Sequence, residues 1–224
     1  MAHVAFVVVV SIFGLVISTA LLRNPAPLSA GADGRRILVA LAYDLVCIMG
    51  MLAVLFPVAC SGALGARFSF AEAPERFGIR ATRFLGLLVV HGHHPSGSES
   101  TKHELLLRGR SFCATCYGLL TGAVVSLATI TGFAVSGWLG WIGNYPAYLV
   151  YYVGVTAVIT GLTQTLMPQA GAKARFLLAF VFVGGTGLML LATDLLTANL
   201  MADLFVVVLA IFWLLSRISL SYRD

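Results

Sequence analysis

Apolar runs of about 20 residues recur along this chain and constrain its fold more than any other feature. The first is residues 3–22, HVAFVVVVSIFGLVISTALL. Folded as an α-helix, a run of this length spans the roughly 30 Å hydrocarbon core of a bilayer. Composition agrees, because 59% of the residues are hydrophobic and only 10% are charged, against about 25% charged in a soluble domain. We therefore predict one transmembrane helical domain over residues 1–224.

The predicted fold class is all-α, a polytopic integral membrane protein with about six transmembrane helices and one amphipathic interfacial helix. No basic residue precedes the first apolar run, which favours a retained helix over a secretory signal peptide. Pro57 should kink or end the second helix. Gly118 and Gly122 form a GxxxG pattern in the third, which lets a neighbouring helix approach closely. The predicted spans are residues 3–22, 37–64, 117–138, 147–167, 174–195 and 201–217.

Residues 74–90 differ from these spans, because arginines alternate there with aromatic and aliphatic residues. Their apolar part, residues 84–90, is too short to cross a bilayer. We interpret the segment as an amphipathic interfacial helix, with its arginines toward the headgroups. A short tilted or re-entrant segment is the alternative.

Residues 91–118, HGHHPSGSESTKHELLLRGRSFCATCYG, hold four of the five histidines and two of the four cysteines. Cys113 and Cys116 form a CxxC pair, which can wrap two sulfurs onto one ion. With His94 and His103 they make a Cys2His2 set, the donor chemistry that zinc takes in tetrahedral sites. Another divalent metal is possible, and two further histidines could substitute as ligands, namely His91 and His93.

Other chemistries of a CxxC pair can be weighed against zinc. Haem c attachment needs a histidine directly after the second cysteine, and Tyr117 stands there. An HExxH metalloprotease helix is missing, because Leu107 occupies the place of its second histidine. A redox-active dithiol stays open as the alternative.

The same stretch resembles a family of predicted membrane proteins of unknown function found in archaea and bacteria. The resemblance covers about 25 residues, and the HHP sequence is similar to the archaeal branch of that family. The resemblance implies a metal site whose CxxC pair lies at the start of a transmembrane helix, and it implies no activity. The matching positions are His94, His103, Arg110, Ser111, Phe112, Cys113, Ala114, Cys116 and Gly118.

The distribution of Lys and Arg predicts the topology. With six spans, one side of the membrane carries 11 of the 14 basic residues. The positive-inside rule therefore places both termini and residues 91–118 in the cytoplasm of a multi-pass cell-membrane protein, where thiols stay reduced. Because the basic residues lie in loops, we exclude nucleic acid as a partner and expect contact with membrane lipid. A homo-oligomer and a subunit of a larger membrane complex are both open.

Several polar residues outside the metal ligands are candidates for other roles. Arg108 and Arg110 could bind an anion, and Asp44 lies within an apolar helix, where an ionisable group is a functional candidate. Asp194 and Asp203 are expected to cap helix ends. Four polar residues share one face of the fourth helix, namely Thr156, Thr160, Thr163 and Gln164.

Three functions fit this sequence, and whether the protein is an enzyme stays open. The first is a structural or accessory membrane protein whose zinc pins a cytoplasmic segment against the third helix. The second is a transporter or metal-handling protein, with His3, Asp44 and the threonine face lining a polar path. The third is an interfacial metalloenzyme acting on a lipid or phosphate-bearing substrate, with Glu104 as base.

Overall fold

The computed structural model describes residues 2–23, 34–55, 80–84, 87–91, 104–107, 110–139, 142–166 and 170–221. Six α-helices and two antiparallel β-hairpins make up these ranges. The helices are α1 (Ala2–Leu21), α2 (Gly34–Leu55), α3 (Ala114–Ser136), α4 (Asn144–Leu162), α5 (Ala172–Thr197) and α6 (Leu200–Ser221). The strands are β1 (Arg80–Phe84), β2 (Leu87–His91), β3 (Glu104–Leu107) and β4 (Arg110–Cys113). A 3-10 turn, Thr163–Leu166, follows α4.

Each of the six predicted apolar runs is a helix in the structure, and most bounds agree to within three residues. Three helices, α3, α4 and α5, are long and apolar enough to cross a membrane, which fits a membrane protein. Ala5–Leu21 and Leu200–Ser216 are shorter apolar helical stretches. The described part of α2 stops at Leu55, so residues 56–64, with Pro57, lie outside the described residues.

Helix α5 lies at the centre of the bundle and packs most extensively against α3 and α4. Glycines make this approach possible. A Cβ on Gly118 would lie 2.3 Å from the Phe176 carbonyl oxygen, and one on Gly154 would lie 2.8 Å from the Gly185 carbonyl oxygen. The predicted GxxxG contact is confirmed, because Gly122 packs in the same way against Phe180.

Polar side chains join the helices inside the bundle. The Tyr151 hydroxyl on α4 lies 2.6 Å from the Ser18 hydroxyl on α1. Trp213 on α6, which is fully buried, donates its Nε1–H to Ser11 of α1 at 2.9 Å. Large apolar side chains lie outside instead, with Phe13 67%, Val135 68% and Leu149 66% exposed. This arrangement suits a lipid environment, where interhelical hydrogen bonds replace those that water would supply.

The predicted interfacial helix over residues 74–90 is wrong where the structure describes it. Residues 80–84 and 87–91 form an antiparallel hairpin with Arg80 opposite His91 and Phe84 opposite Leu87. β-branched and aromatic residues favour strands, and pairing across the hairpin then decides between strand and helix. Residues 74–79 and 85–86 lie outside the described part of the chain. The apolar segments are therefore helical, as the all-α class predicts, while strands β1 to β4 lie in the part of the chain between α2 and α3.

The second hairpin, β3–β4, continues directly into α3 at Ala114. Its register pairs Glu104 with Cys113 and Leu107 with Arg110. We call this end of the bundle the cysteine end, where α3 and α5 begin and α4 finishes. The opposite end, where α2 and α6 begin and α3 and α5 finish, is called the arginine end.

Candidate functional site

The two cysteines of the predicted metal site lie together at the start of α3. Cys113 is the last residue of β4 and the N-cap of the helix, with an extended backbone at φ −64° and ψ 118°. Cys116 is the third residue of the helix. Both thiols are free and half-buried. This placement at a strand–helix junction brings both sulfurs to one spot at the cysteine end.

The environment of Cys113 favours its thiolate. A hydrogen bond from the Cys116 thiol lowers the pKa of the Cys113 thiol to about 6, against the opposing effect of burial. Backbone hydrogen bonds and the positive charge of Arg175 act in the same direction. Because a thiolate is the form of cysteine that binds metals and attacks disulfides, this pair is chemically competent at neutral pH.

Side chains from the 3-10 turn after α4 and from the start of α5 contact this junction or lie beside it. Gln164 is buried and donates its Nε2–H to the Thr115 hydroxyl at 2.8 Å. Arg175 donates its Nε–H to the Ala170 carbonyl oxygen at 2.8 Å. The Tyr117 ring packs on the Phe176 ring at a centroid distance of 6.2 Å. The 3-10 turn after α4 and helix α5 therefore contact the CxxC turn, through Thr115 and Tyr117 respectively.

The remaining predicted ligands are described only in part. His93, His94, His103 and Arg108 lie outside the described residues, while His91 is placed in β2 and Arg110 in β4. Among the residues that the structure describes, no three His, Cys, Asp or Glu side chains form a metal-binding group. The structure therefore brings together the cysteine half of the predicted site, and the Cys2His2 set stays a prediction.

Asp44 accepts a hydrogen bond from the Thr131 hydroxyl of α3 at 2.7 Å. Its other oxygen, Oδ1, is buried without a hydrogen-bond partner in the described part of the chain. Asp44 therefore links α2 to α3 from within the bundle.

The polar face of α4 does not meet Asp44. Thr156 and Thr160 are exposed on the outside of α4, and the Thr156 hydroxyl donates to the Tyr152 carbonyl oxygen of its own helix. Gln164, by contrast, is buried at the cysteine end. The described residues of the predicted polar path therefore lie in three separate places: between α2 and α3, on the outside of α4, and at the cysteine end.

A second constellation, which the sequence analysis did not predict, lies at the arginine end. Arg35 on α2 pairs with Asp194 on α5, with Nη2 to Oδ1 at 2.6 Å, and its Nη1 pairs with Asp203 on α6. Arg36 pairs with the same Asp194, with Nε to Oδ2 at 2.8 Å. We call these four residues the arginine cluster. Asn199, rather than either aspartate, caps α6 by accepting the backbone N–H of Met201 at 2.9 Å.

The arginine cluster is buried, since Arg36 is 3%, Asp194 4% and Asp203 0% exposed. The Arg36 guanidinium also lies over the Phe133 ring, 5.1 Å from its centroid. The expectation that both aspartates cap helix ends with their side chains is therefore wrong. The sequence does place two basic residues in the first turn of α2 and two acids near the turn between α5 and α6. No local pattern indicates that these residues pair with each other.

Comparison with known protein families, curated proteins and solved structures finds no match to this chain. The resemblance of residues 91–118 to a membrane-protein family stays a prediction. The fold and the two constellations define a class, namely a helical protein with three helices long and apolar enough to cross a membrane, a CxxC turn at one end and a buried ion cluster at the other.

Proposed function

We propose that this chain is a multi-pass membrane protein with a structural or accessory role. In this proposal Cys113 and Cys116 bind one zinc ion together with His94 and His103. The observation that carries it is the pair of free, hydrogen-bonded thiols at the junction of β4 and α3. No other described part of the chain presents two such soft ligands side by side.

The donor set suits zinc better than a hard cation, because thiolate and imidazole are the ligands of structural zinc sites. The hairpin register supports the participation of His103. Glu104 pairs with Cys113, and His103 precedes Glu104 by one peptide bond, which links Cα atoms about 3.8 Å apart. Glu104, the residue that follows His103, therefore lies opposite Cys113 in the hairpin. In the proposal, the polar residues SGSEST connect His94 to His103 and allow the site to close.

In this proposal the metal has a structural role. A metal held by α3 on one side and by the preceding polar segment on the other ties that segment to the bundle. Because a structural site forms only in the folded chain, its binding free energy adds to folding. Cys116 lies two residues before Gly118, so the site also fixes the part of α3 that packs closest to α5.

The proposed orientation has six spans and the cysteine end in the cytoplasm. Eleven of the 14 Lys and Arg residues belong to that side. Two of the three on the other side, Arg35 and Arg36, lie within α2 and pair with buried aspartates. Only Arg23 is left in the loops of that side, which strengthens the asymmetry on which the positive-inside rule depends.

The deciding experiment is the metal content of the detergent-purified protein. We expect about one zinc per chain in the wild type and in a Cys47→Ala control, whose cysteine is buried in α2. The Cys113→Ala/Cys116→Ala variant should lose it. A wild-type protein that holds no metal would overturn the proposal and leave the redox dithiol as the interpretation to test by thiol titration.

One observation favours a second function, the interfacial metalloenzyme. The backbone of Glu104, the candidate base, lies directly opposite Cys113 in the hairpin. An enzyme site keeps one coordination position open for water, whereas a structural site is closed. X-ray absorption of the zinc protein separates the two, because three protein ligands would favour the enzyme and four would favour the structural role.

A further inference from the structure

The arginine cluster takes no part in the proposed zinc site, because the cluster lies at the opposite end of the bundle. It is therefore a candidate for a separate function. An ionisable group inside an apolar helix bundle is costly to keep and often marks a functional site. Here four such groups converge from three helices. Their formal charges cancel, with Arg35 and Arg36 against Asp194 and Asp203.

The charged groups that face Asp203 come from two elements only among the described residues. Helix α2 supplies Arg35 and Arg36, and α5 supplies Asp194. Helix α3 contributes the uncharged Phe133 ring beneath Arg36. Asp203 is the one acidic residue in the first turn of its own helix.

The two carboxylates are not equivalent. Each oxygen of Asp194 has a guanidinium nitrogen in ion-pair contact, with Arg36 Nε 2.8 Å from Oδ2 and Arg35 Nη2 2.6 Å from Oδ1, although the second contact lacks hydrogen-bond geometry. Asp203 is in ion-pair contact with Arg35, which also contacts Asp194. The second oxygen of Asp203, Oδ1, has no hydrogen-bond partner among the described residues, although the residue is 0% exposed. A buried carboxylate oxygen without a donor favours the neutral acid, because the charged form has lost its hydration without replacement.

We propose that the arginine cluster is a proton-binding site, in which Asp203 Oδ1 takes the proton. The proton comes from a hydronium ion of the aqueous phase, whose O–H bond breaks as an O–H bond forms on Oδ1, so the net charge of the cluster rises from zero to +1. Arg35 keeps its ion pair with Asp194. The ion pair that ties α2 to α6 is lost while those between α2 and α5 stay, so proton binding loosens α6 selectively.

The test is infrared difference spectroscopy of the full chain as the pH is lowered from about 9 to about 5. A carboxyl that takes up a proton gains the C=O stretching band of a carboxylic acid. We expect this band in the wild type and its loss in Asp203→Asn. Asp44→Asn is the matched control. Asp44 lies outside the cluster, and its buried Oδ1 also has no hydrogen-bond partner among the described residues.

Two further variants keep the test decisive if Asp203→Asn does not fold. Asp203→Glu keeps the charge and should shift the frequency of the band. Arg35→Gln removes the shared cation, so the proton should bind about tenfold or more tightly and the band should appear at higher pH. Absence of the band in the folded wild type, its retention in Asp203→Asn, or an unshifted band in Asp203→Glu would overturn the proposal. Neither result bears on zinc content at the cysteine end.

Discussion

Replacing Gly118 with alanine tests whether close helix contact holds this bundle together. The new Cβ would lie 2.3 Å from the Phe176 carbonyl oxygen and 2.9 Å from the Ala179 Cβ, where 3.4–4 Å is ordinary contact. Helices α3 and α5 must therefore separate by about 1 Å, since a backbone carbonyl cannot rotate away. Overpacking of this kind costs up to about 3 kcal/mol. The better helix propensity of alanine offsets about 1 kcal/mol, so the net loss should be up to about 2 kcal/mol.

Gly184→Ala provides the matched control, because it lies within α5 and a Cβ there would meet nothing within 4 Å. This change should leave the unfolding free energy unchanged or raise it by up to about 1 kcal/mol. The assay is unfolding in mixed micelles by titration with sodium dodecyl sulfate, followed by circular dichroism. A Gly118→Ala protein as stable as Gly184→Ala would refute the reasoning, since it would mean that the α3–α5 contact is loose.

Three further predictions concern the two ends of the bundle. In metal-free protein, alkylation of Cys113 should rise with pH through about 6 and level off above it, because the thiolate is the nucleophile; mass spectrometry of the labelled peptide measures this, and a midpoint near the ordinary cysteine value would contradict it. Arg36→Ala should destabilise the protein by about 3–5 kcal/mol, because it removes one partner of the buried Asp194. Arg36→Lys, which keeps the charge, should lose less in the same detergent titration, and equal losses would show that packing on Phe133 matters more than charge. Ala198→Gly should stabilise the protein by about 1–2 kcal/mol, because Ala198 has a left-handed backbone with φ of 46°; a lower unfolding free energy would contradict this.

The helices could be predicted from the sequence because the signal for each is local. An apolar run long enough to cross a membrane can be recognised from about 20 consecutive residues. The predicted bounds of α1, α3 and α5 accordingly differ from the structure by at most three residues. The CxxC turn was predictable for the same reason, since Cys113 and Cys116 are three residues apart. Their position at a helix N-terminus follows from where the apolar run begins.

Two features could not be predicted in this way. Residues 80–91 carry a charge pattern that fits an amphipathic helix and a β-branched content that fits strands, and pairing across the hairpin decides between them. The arginine cluster depends on contacts between residues far apart in the sequence. No local pattern distinguishes an aspartate that caps a helix from one that pairs with an arginine of another helix.

The arginine cluster also sets an order of events during synthesis. Arg36 precedes Asp194 by 158 residues, and Arg35 precedes Asp203 by 168. At a translation rate of about 5–20 residues per second, roughly 10–30 s pass between the synthesis of the arginines and of the aspartates. In the proposed six-span topology, the aspartates that pair with Arg35 and Arg36 lie in α5 and α6, which are made last. We therefore expect the docking of α2 against these two helices to be a late step of assembly.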